Sequence, residues 1–361
     1  MIIGIDASKL LAVNPTGVEI STQELIRALL TLDRSNIYWL YSPAPLTSEW
    51  MGWENVKNIV VPAKKLWTLW ALGQEIKKRP PAIFWSPSNF LPYNLPEKSV
   101  TTIQDLAFHL FPKSYSLKAR ALSYFALKRA IKSASKLIAI SQQTKKDLKH
   151  YFKVPGEHIE VIYLGVRKDL HPSEFNFEIT YPNLDKYFIY VGRLELRKNL
   201  PNIIKAFHQF ITATGAPVKL ALCGSRGFGY PLIKNLVKKL KLADKVLFLG
   251  YVEANHLPTL YQKSLGVIFA SEYEGFGLNI LEGFASNVPV LTSNLGAMAE
   301  IAGNAALLVN PYNVSEIADG FTCLYRDENL RRVLIEKGRI RLQDFSWEKA
   351  AQKLMEIWKN L

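Results

Sequence analysis

The chain has 361 residues, 48% of them hydrophobic and 21% charged, with a formal net charge of +14. These values exclude a disordered polypeptide, and the length exceeds what one ordinary core serves, so two domains of roughly 150–200 residues each are expected. The basic excess leans to the N-terminal half, with 23 basic against 14 acidic residues up to position 176, and suits an anionic partner such as a phosphorylated substrate, acidic lipid or nucleic acid. Cys223 and Cys323 have no metal-ligand spacing and are expected to be unbonded core thiols in a reducing compartment. The start, MIIGIDASKL, lacks the basic segment and long apolar run of a signal peptide. No apolar run approaches the ~18–20 residues of a membrane span, so a soluble cytoplasmic protein is expected.

Short apolar, β-branched or aromatic runs then recur along the chain. In the first half they are Ile2–Ile5, Ile37–Tyr41, Ile83–Trp85, Val100–Ile103, Leu137–Ile140 and Val161–Tyr163. In the second they are Phe188–Val191, Leu220–Cys223, Val246–Leu249, Val267–Ala270, Pro289–Leu291 and Ala306–Val309. Helical patterns alternate with them, among them Ser21–Leu32, Ala119–Ser133, Leu200–Thr212, Tyr230–Leu240 and Trp347–Trp358. Strands alternating with amphipathic helices imply βαβ units and parallel sheets. Twelve strands are too many for one plain sheet, so two doubly wound α/β domains are expected, residues 1–176 and 177–361. The weakly periodic stretch Gly165–Asp185, with Pro172 and Pro182, supplies the boundary. A ligand cleft would face the carboxyl ends of both sheets.

Two segments of the second half carry chemistry. In SEYEGFGLNILEGFASNVPVLTS, Glu274 and Glu282 flank the turn Gly275-Phe276-Gly277, between the buried strand GVIFA and an apolar helical pattern beginning at Leu278. That order presents a carboxylate, backbone N–H groups and a helix N-terminus at the carboxyl end of a strand, where parallel α/β proteins bind anions. In YFIYVGRLELRKNLPNIIKAF a strand ends at Val191-Gly192, and Arg193 and Lys198 follow in the loop before a helix. Two cations beside a helix N-terminus suit a diphosphate: charge neutralisation plus oriented donors.

Taken together, GR-x4-KN-x-P and SEYEGFG-x4-EGFA-x-N-x-PV-x-TS resemble the retaining, nucleotide-sugar-dependent glycosyltransferases of family 4, which have the GT-B fold of two Rossmann-like domains facing a cleft. IGIDASKLLAVNPTGVE, TIQDLAFHLFP, LIAISQQTKKDL and VIYLGV are similar to further family segments, and the nearest subgroup is the bacterial O-antigen and polysaccharide mannosyltransferases. The resemblance implies that Arg193 and Lys198 hold the donor diphosphate and that Glu274 binds the sugar hydroxyls. Gly192, Phe276, Gly277 and Leu278 would line the donor, and Glu282 would bind the ribose. Gly17 would let its loop approach phosphate or acceptor. Fixed cations aimed at charge building on the diphosphate are the largest expected catalytic contribution. No nucleophile is assigned. A nucleotide-diphosphate sugar is the implied substrate, GDP-mannose favoured, with a glycan or lipid-linked acceptor. The last helix, about 347–361, is expected to pack back on the first domain.

The chain departs from the pattern at three places. Gln104 stands before Asp105 where relatives often have His, and Gln cannot titrate; His109 is a substitute candidate for sugar or acceptor contact, with a core or surface role favoured. Glu19 and Ile20 replace an arginine expected after the glycine loop. No Asp-x-Asp occurs, so no metal is expected, and with a nucleotide-diphosphate sugar as substrate no cofactor is expected. Nucleic acid is not expected as a partner, since no binding motif accompanies the charge. Lys64–Trp70, the Trp50/Trp53 pair and the basic helical pattern Ala119–Lys136 are candidates for contact with an anionic membrane surface. The competing readings are a GT-B-fold nucleotide-sugar epimerase and a non-catalytic nucleotide-sugar or nucleic-acid binder.

Overall fold

The computed structural model describes residues 1–13, 15–63, 66–167 and 175–361. The chain divides into two compact units, Met1–Gly165 with Phe345–Leu361, and Val166–Asp344. The division therefore lies ahead of the 176/177 boundary read from the sequence; Pro172, in that boundary stretch, falls outside the described residues.

Among the described residues the first unit holds strands β1 (Ile2–Asp6), β2 (Ile37–Ser42), β3 (Val56–Val60), β4 (Ile83–Ser86), β5 (Lys98–Ile103), β6 (Lys136–Ala139) and β7 (Ile159–Val161). They form one parallel sheet in the order β3-β2-β1-β4-β5-β6-β7. The strand missing from the sequence reading is β3. It is an edge strand in which only Ile59 is buried, so Lys57 and Asn58 interrupt any apolar run. Interior strands such as β4, buried at every residue, need apolar side chains on both faces and are visible in the sequence for that reason.

The last helix, Trp347–Lys359, belongs to this unit. Its buried residues Trp347, Ala350, Ala351, Leu354, Ile357 and Trp358 follow helical spacing and form the stripe that meets the helix Gly17–Leu32. Trp358 lies 6.2 Å from Trp85 of β4, ring centre to ring centre. Gly165 runs so close beneath this helix that a Cβ there would meet the Trp347 nitrogen at 2.5 Å.

The second unit holds β8 (Tyr187–Val191), β9 (Lys219–Cys223), β10 (Val246–Gly250), β11 (Val267–Phe269), β12 (Val290–Ser293) and β13 (Leu307–Val309), parallel in the order β10-β9-β8-β11-β12-β13. This is the doubly wound order with reversal between β8 and β11, as the first sheet reverses between β1 and β4. Phe188, Phe207, Phe210 and Phe321 form an aromatic core beneath it, with ring centres 5.0–6.0 Å apart. The expected α/β fold of two Rossmann-like parallel-sheet domains is present in full. Cys223 is buried, and burial pushes its thiol up to about 12; Cys323, expected in the core, lies exposed on the helix Val314–Arg326. Both are unbonded.

Candidate functional site

At the reversal point of the second sheet, β8 and β11 lie side by side although Val191 and Ser271 are far apart in sequence. Their following loops therefore meet. The Lys198 Nζ contacts Glu274 Oε1 at 2.5 Å and Oε2 at 2.6 Å. Ser271 Oγ donates to Glu274 Oε1 at 2.8 Å, and Arg197 Nη1 lies 3.9 Å from Glu274 Oε2. Glu274 is 9% exposed. Burial pushes its carboxyl up, but the charges of Lys198 and Arg197 and the hydrogen bonds from Lys198 and Ser271 outweigh this and hold it below the ordinary value. Glu272, half-buried and without such cations, is pushed up by burial.

The two loops are fixed by their backbones. Asn199, at φ 61°, donates from Nδ2 to the Ala270 carbonyl at 2.9 Å and the Pro311 carbonyl at 2.7 Å, tying the β8 loop to the end of β11. Gly277, at φ 110°, starts the helix Leu278–Ala285, and only glycine holds that left-handed angle without strain. Gly224, at φ 138°, lets β9 approach the β8 loop; a Cβ there would meet the Gly192 carbonyl oxygen at 2.0 Å. Arg193 is exposed at the same loop. Phe276 is buried beside Gly277. Glu282 is buried on the helix and accepts a 2.7 Å bond from the Tyr261 hydroxyl, whose own titration burial and Glu282 drive far upward. The loops thus bring Arg193, Lys198, Glu274 and the helix N-terminus at Gly277 to one end of one sheet.

The first unit carries its own cavity, of about 370 Å³, at the reversal between β1 and β4. Asp6 ends β1, and Ser8 and Lys9 follow it; Ser88, Asn89 and Phe90 follow β4; Gln104 and Asp105 follow β5, with Phe108 and Tyr115 beside them. Asp6 is buried, which pushes its carboxyl up against the lowering bonds from Ser8. Gln104 Nε2 donates to the Pro87 carbonyl at 3.0 Å, and Asp105 Oδ1 accepts from the Ala107 N–H at 2.9 Å. His109 is not part of this lining. Its ring packs on Tyr151 at 5.2 Å and Phe152 at 5.3 Å. Gly17 is the exposed first residue of its helix. Glu19 has a structural use: with Thr16 it forms a capping box and it pairs with Lys9 at 2.9 Å.

Residues 15–170 match the model of Glycosyltransferase Family 4, and residues 173–341 match that of Glycosyl transferases group 1. The chain belongs to the family 4 glycosyltransferases. It is 28% identical over 286 residues to the O-antigen chain mannosyltransferase B of Escherichia coli, covering 77% of this chain and 74% of that protein. It is 31% identical over 210 residues to the O-antigen chain mannosyltransferase RfbU of Salmonella typhimurium, covering 58% of this chain and 56% of that protein. The solved structure of HepE from Anabaena in complex with UDP-glucose superposes with a TM-score of 0.75 at 20% identity, covering 100% of this chain and 99% of that one; at this identity the likeness establishes the GT-B fold.

In this family 4 enzyme the sequence reading missed Arg197, Glu195, Asn199 and Ser271. Arg197 and Asn199 flank Lys198, but nothing in a linear motif says which side chains point inward. Only the pairing of β8 with β11 makes Arg197 a neighbour of Glu274 and Asn199 a partner of the Ala270 carbonyl. No group of three or more His, Cys, Asp or Glu able to hold a metal ion occurs among the described residues. No helix among them is long and apolar enough to cross a membrane.

Proposed function

We propose that this glycosyltransferase moves a sugar, mannose favoured, from a nucleotide-diphosphate donor to a glycan or lipid-linked acceptor of cell-surface polysaccharide. Transfer proceeds with retention of configuration and without a metal. The observation that carries the donor half is the Lys198–Glu274 contact across the loops after β8 and β11. It sets a cation, a buried carboxylate and the start of the helix Leu278–Ala285 together at the end of a parallel sheet.

Lys198 and Arg193 take the diphosphate and oppose the charge that builds on it as the glycosidic bond breaks. Glu274 accepts hydrogen bonds from sugar hydroxyls, and the backbone at Phe276, Gly277 and Leu278 lies against the donor with Gly192. Glu282 holds the ribose hydroxyls, a role that requires it to share its carboxylate with Tyr261. The cavity containing Gln104 and Asp105, polar groups with Phe90, Phe108 and Tyr115 as apolar surfaces, suits sugar hydroxyls and ring faces. Mannose and an O-antigen or related acceptor rest on the names of the two O-antigen relatives; the HepE complex keeps a uridine donor in the test.

The enzyme works in the cytoplasm as a peripheral protein of the membrane face. The helix Leu117–Ser133 supports this: Leu117, Leu122, Tyr124 and Phe125 are exposed next to Lys118, Lys128 and Lys132, without one acidic residue. Of the other sequence candidates, Trp50 is buried, and Lys64 and Lys65 lie outside the described residues. Trp70 is exposed. Incubation with a panel of GDP-, UDP- and dTDP-sugars and lipid-linked glycans, with the anomeric configuration read by NMR, tests the reaction. Release of no nucleotide from any donor would defeat it. Flotation with anionic vesicles, compared with Leu122→Glu, tests the surface; absence of binding at low salt would remove it.

A further inference from the structure

Arg197 stands next to Lys198 but is used differently. Its Nη2 donates to Glu195 Oε1 at 2.9 Å, and its Nη1 donates to the Tyr273 carbonyl at 3.1 Å. Nη1 also lies 3.9 Å from Glu274 Oε2. The Arg197 side chain is 10% exposed, close to the 11% of Glu274 and 14% of Lys198. Its planar fork is thus committed to partners on both loops. Lys198 instead carries a single charge on a flexible stem, and that charge rests on Glu274.

A diphosphate entering this site competes with Glu274 for Lys198. Once the lysine is drawn to phosphate, Glu274 loses its nearest cation in a place largely closed to water. A buried carboxylate without a counter-charge protonates or moves. Among the described residues, the groups facing Glu274 are these. Lys198 and Arg197 come from the β8 loop, with Glu195 bound to Arg197. Ser271 comes from its own loop, which also carries the neighbouring Glu272. Tyr190, on β8, has a hydroxyl driven upward by burial and then by the Glu274 charge. With Lys198 withdrawn, Arg197 is the remaining cation of that set.

We propose that Arg197 is a positioning residue: it keeps Glu274 ionised and aimed at the sugar while the donor diphosphate draws Lys198 away, so that the Lys198–Glu274 contact is a resting latch opened by the donor. This inference rests on the donor site described under Proposed function. Arg197 touches neither phosphate nor sugar; it acts through Glu274 and through the Tyr273 carbonyl, which fixes the loop.

The test compares Arg197→Met, Arg197→Lys and wild type, using whichever nucleotide sugar wild type turns over, with kcat and KM measured from pH 5 to 9. Removing the cation raises the pH at which Glu274 ionises in the donor complex. Arg197→Met should therefore move the acid limb of kcat upward by about one pH unit or more, with activity recovering at high pH. Its kcat at the acid end of that range should fall by up to about tenfold, while affinity for GDP and UDP stays within about threefold of wild type. Arg197→Lys keeps the charge and should hold the acid limb near its wild-type position. A uniform loss of kcat with an unmoved acid limb would mark a merely structural residue and overturn the proposal, as would wild-type kinetics. Should Arg197→Met lose its cooperative melt, Arg197→Gln takes its place with the same expectations. Glu274→Ala and Lys198→Ala serve as separate controls: turnover surviving in both would remove the donor site itself, whereas their loss with an unmoved limb in Arg197→Met would remove only this inference.

Discussion

The most informative single change is Glu274→Gln. It keeps shape and hydrogen-bonding capacity but deletes the charge that occupies Lys198, which holds both carboxylate oxygens at 2.5 and 2.6 Å. Hydrogen bonds to charged groups contribute about 1.5–3 kcal/mol each, and one such contribution is what a nucleotide diphosphate must displace on binding. Releasing Lys198 in advance should therefore tighten GDP or UDP binding by roughly 10- to 100-fold. Transfer should move the opposite way, falling about 10²-fold or more, because the group that receives the sugar hydroxyls has lost its charge. Calorimetric titration of the nucleotide diphosphate gives the first number, and release of nucleotide from the sugar donor gives the second. The two effects have opposite signs, so general damage to the site cannot imitate them. Weaker nucleotide binding, or turnover close to wild type, would refute the placement of both charges.

Three further outcomes follow from the packing and the electrostatics. Trp358→Ala removes a buried ring from contact with Trp85 and should cost about 3–5 kcal/mol, seen as a lower midpoint in chemical denaturation of the first unit. Gly224→Ala sets a Cβ against the Gly192 carbonyl oxygen at 2.0 Å and should displace the loop bearing Arg193, lowering both thermal stability and nucleotide binding; an unchanged melt would contradict that geometry. The Asp33 carboxyl is held far below its usual value: burial opposes this, but bonds from Tyr38, Asn36 and Ser35 prevail. Glu274 is lowered as well, so both groups add stability that is complete above the unfolded carboxylate range of about pH 4–4.5 and is lost as pH falls through the folded values. Denaturation midpoints should therefore decline below about pH 4, and Asp33→Asn should flatten that decline.

Much of the fold could be read in one dimension, for a physical reason. A central strand of a parallel sheet is buried on both faces, so β4 and β8 must be nearly all apolar and stand out between amphipathic helices. The final helix shows its stripe through Trp347, Leu354 and Trp358. The edge strand β3 escaped because solvent accepts its Lys57 and neighbouring groups of β2 bond its Asn58 amide. Cys323 shows the same limit: its helix is amphipathic, but composition does not say which face a thiol takes. At the site, the positions of Arg193, Lys198, Glu274 and Gly277 after strands could be read because each follows an apolar run that ends at a charge or a glycine turn.

The amino-acid order by itself thus determined which segments become strands, where the loops with charge lie and which glycines punctuate them. These are local properties set by side-chain periodicity and backbone freedom. Only the tertiary structure decided that β8 pairs with β11, and this pairing turns separate motifs into one charged cluster. It also assigned Arg197 to Glu274 and Glu19 to Lys9, and set His109 among aromatic rings. Partners of this kind are chosen by strand order and burial, and a carboxylate in water has no reason to prefer one distant cation until the sheet has excluded the water between them.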